Sequence, residues 1–295
     1  MKTIILCFTF LFLSFPLVAE EPKLWNVRDH VPFKEIMVQA HRGAGVLAPE
    51  NSLEAFELAW KLKVIPEADI RMTRDGVIVS FHDENFSRIL PTASDEMKAR
   101  GIKDLFYDEV VKLDIGVWKG QEYAGQRIPS MQEIVDVLKK HPERRIYVDI
   151  KNVDFDQMAR ETRGVHAQLI LASTKYDEIK RWKEVAPESI TLHWMGGTEE
   201  KLLERLALLE KNGFQDIDQL QIHVSMTSDG VFEPSESFLK QTGEQLRKHN
   251  ILFQVLPWNG KKTSDYKRML DLGVASFATD YPDVTMQAID EYYHQ

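Results

Sequence analysis

Three short polar clusters in this chain carry side chains that could do chemistry together. The first is His41-Arg42-Gly43 with Pro49-Glu50-Asn51-Ser52 close behind it. The second is Glu67-Ala68-Asp69, followed by His82-Asp83, and the third is Asp149-Ile150-Lys151. Each ends an apolar, strand-like run. Side chains alternate along a strand, so Glu67 and Asp69 share one face, as do Asp149 and Lys151. If those faces meet inside a barrel, unpaired charge there is costly and the three carboxylates repel one another unless a cation sits between them. Oxygen ligands without cysteine suit Mg²⁺ or Ca²⁺ rather than zinc. Two imidazoles flanking such a cation, with Arg42 and Lys151 nearby, match phosphodiester cleavage. The positive groups stabilise charge on the phosphoryl oxygens, one His takes a proton from the nucleophile, and the other protonates the leaving alkoxide. Each cluster alone is also an ordinary capped turn, solvated strand face or intrastrand ion pair; the weight lies in the ordered set.

The elements that must position these groups alternate between two periods. Strand-like runs lie near 36–41, 64–70, 146–150, 168–172, 190–194, 219–224, 251–256 and 275–279, with helix-like segments near 52–62, 130–140, 174–185, 198–212, 233–248, 263–272 and 284–293. Ser52 is placed to cap the first helix, with Glu54 and Glu57 in its opening turns. Eight strands alternating with helices predict an α/β fold, a closed parallel (β/α)₈ TIM barrel. One further run, 77–82, follows after Thr73-Arg74-Asp75-Gly76, and Asp-Gly marks a tight turn. It reads as the returning arm of a hairpin after the second strand, which sets His82 opposite Glu67. Residues 84–127 then form the longest connection, an ordered insertion ahead of the Asp149 strand, of the kind that sits over the C-terminal face of a barrel.

Composition excludes other classes. The chain has 295 residues, 43% apolar and 28% charged, with 15 Gly and 12 Pro, which fits neither a collagen-like nor a disordered chain. A net charge of −9 lacks the electrostatic footprint of a nucleic-acid binder. Lys2, the apolar run Ile4–Val18 and the small residue Ala19 read as a secretory signal peptide over 1–19, leaving residues 20–295 as one domain that is secreted or periplasmic. The run is shorter than the ~20 residues a spanning helix needs, and no other segment is apolar enough. Cys7, the only cysteine, lies in the leader, so the remaining chain has no thiols. Oligomeric state is not legible.

The ordered set resembles the glycerophosphodiester phosphodiesterase family. The resemblance rests on HRG, PENS and EAD, the T-x-D-G turn, the FHD ending, AGQRIPS (Ala124 to Ser130), the DIK strand and Thr279-Asp280-Tyr281-Pro282, from about Val38 to Asp283. It implies a phosphodiesterase barrel in which His41 and His82 match the acid–base pair and Glu67, Asp69 and Asp149 the metal ligands. Arg42 and Lys151 match the phosphate-contacting basic residues, and Glu50 a position near the metal. The implied activity is hydrolysis of glycerophosphodiesters to glycerol 3-phosphate and an alcohol with one divalent cation, Mg²⁺ or Ca²⁺. Water or the neighbouring glycerol hydroxyl is the nucleophile.

Three departures bear on detail. Asp149 stands where the family usually has Glu, and Asp149-x-Lys151 looks more like the related sphingomyelinase D branch. Phe253-Gln254-Val255-Leu256 occupies the place of a Trp-Thr-Val-Asn run and Trp258 comes later, so an aromatic pocket wall is missing or displaced. Pro66 precedes Glu67 and disfavours strand pairing there. The alternative substrates are therefore lipids, as for a lysophospholipase D or sphingomyelinase D. An enzyme-free alternative is a barrel that only binds a phosphorylated glycan or head group. His193 and His223 read equally as pocket-lining or core residues, and Asn85-Phe86-Ser87 is a glycosylation sequon.

Overall fold

Ile146-Tyr147-Val148 and Leu169-Ile170-Leu171 are apolar at successive positions, the pattern of strands covered on both faces. A computed structural model describes residues 27–227 and 229–294 and places them so; the leader read over 1–19 lies outside the described residues. The strands are β1 (Met37–Ala40), β2 (Ile65–Met72), β3 (Ile78–Ser80), β4 (Ile146–Asn152), β5 (Leu169–Ser173), β6 (Ile190–Met195), β7 (Gln219–Met226), β8 (Phe232–Glu233), β9 (Leu252–Trp258) and β10 (Ser276–Thr279). β1, β2, β4, β5, β6, β7, β9 and β10 pair in parallel in that order, and β10 returns to β1. The sheet therefore closes into the expected (β/α)₈ barrel, and each of the eight anticipated runs is one of its strands.

Outward residues such as Val38, Ala40, Ile70, Val148 and Leu171 pack in one core with the helices, among them Phe56, Ile134, Trp182 and Leu246. Ser52 does cap the first of these, Leu53–Lys61, its Oγ accepting from the Ala55 N–H at 3.1 Å. Inward residues form a closed floor. Tyr147, Ile170, Ala172 and Leu192 make its apolar part. Beside them Tyr147 Oη donates to Gln219 at 2.9 Å, Gln221 to Gln254 at 2.7 Å, and Gln254 to Ser276 at 2.9 Å. Buried amides so paired cost little, and they seal the lower barrel beneath the carboxylates.

The hairpin is present with a different register. β2 and β3 pair Ile70 with Ser80 and Met72 with Ile78, which sets His82 in line with Ala68 rather than Glu67. The reason is the turn. Arg74, Asp75 and Gly76 form a three-residue loop closed by Thr73 N–H to Val77 O at 2.9 Å, with Gly76 at φ +85°. Such a loop ends in a left-handed residue, which Gly adopts without strain. Pro66 does not interrupt β2: it pairs with Ala40 of β1, and β4 pairing starts one residue later at Glu67.

The insertion is ordered around a core of its own, in which Phe86, Ile89, Ile102, Leu105, Val110, Ile115 and Ile128 pack on Val79 and Phe81 of the hairpin arm. Its short helices span Asp95–Ala99 and Tyr107–Val110. Apolar contact with the hairpin thus anchors this segment beside His82.

Candidate active site

The site sits where the strands end. Register sets two carboxylates side by side, since Asp69 of β2 is the direct partner of Asp149 of β4. One step on, the pairing passes from Ile70–Ile150 to Arg71–Asn152, leaving Lys151 as an extra, bulged residue. Bulges re-aim side chains, and here the Lys151 ammonium lies 2.7 Å from Asp149 Oδ2 and 3.0 Å from Asp69 Oδ1. Glu67, Asp69 and Asp149 each offer an oxygen within 4.8 Å of the others. Glu67 and Asp69 are almost wholly buried.

Backbone geometry supports this cluster. Arg42 adopts φ +53°, uncommon outside Gly, and its N–H donates to Glu67 Oε2 at 2.7 Å. Asn51, at φ +56°, clasps Asp69: its Nδ2 donates to Asp69 Oδ2 and its Oδ1 accepts the Asp69 N–H, each at 2.9 Å. The charges fall out accordingly. Burial would raise Asp69, but Lys151 above all, with His82 and the Asn51 bond, holds its carboxyl below the usual range. Glu67 goes the other way, pushed up by burial and by the Asp69 charge. Three carboxylates with oxygens this close repel one another, and a cation between them would relieve that repulsion. The donor set therefore fits a hard cation.

Each imidazole is held by an aspartate. His41 Nδ1 lies 2.8 Å from Asp280 Oδ1, and His82 Nδ1 lies 2.7 Å from Asp83 Oδ1. The His41 ring also meets Trp258 edge-on, with centroids 5.7 Å apart. Burial alone would lower the His41 pKa; the Asp280 bond and the Glu67 charge outweigh it, so it ends above the ordinary value. Arg42 Nη2 donates to His82 Nε2 at 2.9 Å, and Arg71 donates to the His82 carbonyl at 2.6 and 3.0 Å. Gly45 lets the Arg42 loop lie against β10: it has φ +57°, and a Cβ there would stand 2.2 Å from the Asp280 carbonyl oxygen.

The cleft has two lobes that share His41, Arg42 and Trp258. One lies over the carboxylates and reaches Trp194 and His223. The other runs between Val46, Glu50 and Asp280 and the insertion residues Trp118 and Lys119. Of the residues predicted from sequence, His41, His82, Arg42, Lys151, Glu67 and Asp149 line the first lobe, and Asp69 is buried behind that lining with its Oδ1 3.0 Å from Lys151 Nζ. Glu50 stands one residue removed from the carboxylates, its carboxylate 3.3 Å from Arg42 Nη1, while Arg42 Nε is 4.0 Å from Asp69. His223 lines the cleft, stacked on Trp194 at 4.9 Å and 4°. It is kept neutral because burial, then the His41 charge, pushes it down to about 4. His193 does not line the cleft: it is buried outside the barrel wall, with Nδ1 3.1 Å from the Ser173 carbonyl oxygen. The aromatic wall is supplied by Trp258, because β9 runs on to that residue, and by Trp194. Sequence reasoning gave no role to Asp280, Asp83, Asn51 or Arg88. Asn51, Asp83 and Asp280 lie within stretches that carried the resemblance, and that was their only signal; Arg88 had none.

A family model described as the glycerophosphoryl diester phosphodiesterase family matches residues 41–284. The chain belongs to that family. Membership places it among the phosphoric diester hydrolases, which in this family generally work with a divalent cation. It is 24% identical over 271 residues to a glycerophosphodiester phosphodiesterase of Bacillus subtilis, covering 84% of this chain and 85% of the relative. It is 26% identical over 302 residues to a human lysophospholipase D, covering 93% and 90%. Among solved structures it is similar to an Oleispira antarctica phosphodiesterase in complex with the product sn-glycerol-3-phosphate. The TM-score is 0.65 at 25% identity, covering 86% of this chain and 96% of the other.

Proposed function

We propose that this chain hydrolyses glycerophosphodiesters to glycerol 3-phosphate and an alcohol. The observation that carries this reading is one cleft holding a three-carboxylate cluster with two histidines, each held at Nδ1 by an aspartate. Glu67, Asp69 and Asp149 would hold a divalent cation, Mg²⁺ or Ca²⁺, which when bound supplies positive charge to the phosphoryl oxygens. Arg42 and Lys151 bind and orient the phosphate, Arg42 leaving His82 Nε2 to do so. With both Nδ1 atoms engaged, His41 and His82 each turn Nε2 to the cleft, where one accepts the nucleophile's proton and the other protonates the departing alkoxide. Trp194, His223 and Trp258 form an aromatic wall beside the reacting centre.

The test is release of glycerol 3-phosphate from glycerophosphocholine by purified protein with Mg²⁺, Ca²⁺ or EDTA. Cation-dependent release that EDTA abolishes is expected. Silence towards both this substrate and lysophosphatidylcholine would overturn the reading and leave a barrel that only binds.

A second reading keeps the chemistry and changes the alcohol. Val46, 46% exposed, lines the Trp118 lobe, so a lysolipid chain would find apolar surface there. A relative named lysophospholipase D supports it. Faster turnover of lysophosphatidylcholine than of glycerophosphocholine would favour this reading. Among the described residues no helix is long and apolar enough to cross a membrane. Export as a single domain, residues 20–295, rests on the leader-like sequence of residues 1–19, and N-terminal sequencing of the secreted form would check the cleavage point.

A further inference from the structure

Beyond the carboxylate cluster, five side chains close a ring of hydrogen bonds through His82. Arg88, which comes from the insertion, donates from Nε to Asp83 Oδ2 at 2.8 Å and from Nη2 to Asp83 Oδ1 at 2.9 Å. Its other edge donates to both oxygens of Glu50, each at 2.7 Å. Glu50 accepts from Arg42 at 3.3 Å, Arg42 donates to His82 Nε2 at 2.9 Å, and His82 Nδ1 returns to Asp83 at 2.7 Å. Arg42 can only donate, so His82 Nε2 must accept, and the His82 proton therefore sits on Nδ1 and is given to Asp83.

That tautomer is fixed at both ring nitrogens, by Asp83 at Nδ1 and by Arg42 at Nε2, and Arg88 grips Asp83 directly and reaches Arg42 through Glu50. Exposed ion pairs usually contribute little, and the Arg88 side chain is 40% exposed. The exception is planar, bidentate geometry within a network, and here one guanidinium makes two forks at once. Arg88 also lies over the Trp118 ring, 5.6 Å from its centroid, and Trp118 lines the second lobe.

We propose that Arg88 is a positioning residue: its guanidinium sets the tautomer and orientation of His82 through Asp83 and holds Glu50 against Arg42. The insertion thereby takes part in turnover without touching the reacting atoms. This rests on the reading of His82 as a proton-transfer residue, so its test has one arm that does not need activity. In ¹⁵N–¹H spectra of the imidazoles of the unliganded protein, the parent should show His82 as a single Nδ1–H tautomer, and Arg88→Gln should mix the two. An unchanged tautomer in Arg88→Gln would overturn the proposal whatever the activity.

The kinetic arm uses glycerophosphocholine. Arg88→Gln should lower kcat about 10–100-fold with KM altered less than about threefold, the scale of losing an orienting partner. In an Asp83→Asn background the same change should cost less than about threefold more, because that link is already cut. Costs that simply multiply, or a loss confined to KM, would overturn it. Arg181→Gln, which cuts an ion pair in which Nη2 of a similarly exposed guanidinium meets both Asp156 oxygens at 2.7 Å elsewhere on the surface, should leave kcat unchanged. Arg88→Lys keeps the charge without the fork and gives the same comparison should the Gln variant lose its fold. A parent silent towards both glycerophosphocholine and lysophosphatidylcholine would overturn the proposed function instead, and the spectra would still decide on Arg88.

Discussion

Replacing Asp280 with Asn removes a charge while keeping the shape of the side chain, and His41 feels it directly. The substitution takes away a charge-assisted bond of 2.8 Å to Nδ1. Such bonds contribute roughly 1.5–3 kcal/mol when shielded. Asp280 is 33% exposed, so solvent screens part of this and brings it just below that range, to about 1.4 kcal/mol. That corresponds to a fall of about one pKa unit in the His41 imidazolium, which the wild-type site holds above the ordinary value. The assay is the pH profile of kcat/KM for glycerophosphocholine from about pH 5 to 10, where a bell reports the essential acid and base. One limb should move about one unit towards acid pH and the other should stay. If the alkaline limb moves, His41 is the acid; if the acidic limb moves, it is the base. The plateau should also fall about 10–100-fold through lost orientation. A profile with both limbs in place would refute the link from Asp280 through His41 to proton transfer.

Four further outcomes follow from the same geometry. Glu67→Gln removes one charge from the carboxylate cluster and should raise the cation concentration for half-maximal activity about 10–100-fold; overlaid Mg²⁺ titrations of variant and parent would remove Glu67 from the ligand set. Gly45→Ala forces a methyl within 2.2 Å of the Asp280 carbonyl oxygen and should lower both kcat and Tm, and an unaltered Tm would show that the loop has room. Trp118→Ala should reduce kcat/KM for lysophosphatidylcholine about tenfold more than for glycerophosphocholine, as expected for losing one large apolar side chain from the lobe; equal losses would mean that this lobe does not hold the chain. His193, pushed down to about 4 by burial first and the Arg205 charge second, makes the fold acid-sensitive. Below the ordinary pKa of about 6.5 the unfolded chain takes up a proton that the folded chain refuses. Stability from this group is therefore complete above pH ~6.5 and lost as pH falls towards 4, by about 3 kcal/mol in all. His193→Asn should flatten the fall in urea midpoint between pH 7 and 4.5, and an unchanged slope would reassign the sensitivity.

Much of the scaffold was written in local patterns. Eight apolar runs separated by amphipathic stretches suffice to specify a closed parallel barrel, because a strand apolar on both faces must be covered on both. The chemistry-bearing residues were legible for the same reason: the two-residue period of a strand by itself places Glu67 with Asp69, and Asp149 with Lys151, on one face. What depended on longer-range facts was not legible. The register of the hairpin was set by the left-handed Gly76 and the three-residue loop it closes, and a one-residue difference moved His82 from Glu67 to Ala68. The bulge at Lys151 has no signature in Asp-Ile-Lys, yet it is what brings the ammonium between two carboxylates. Asp280 lies 239 residues from His41 in sequence and becomes its partner only because β10 closes on β1. Arg88 reaches Glu50 across 38 residues because an apolar cluster pins the insertion to the hairpin. Residue types and their local periodicity determined the fold class and the reacting groups, since both follow from neighbours along the chain. Closure of the sheet, its register and the packing of the insertion decided who holds each imidazole and where the second lobe opens, since those are contacts between segments whose spacing in sequence carries no distance in space.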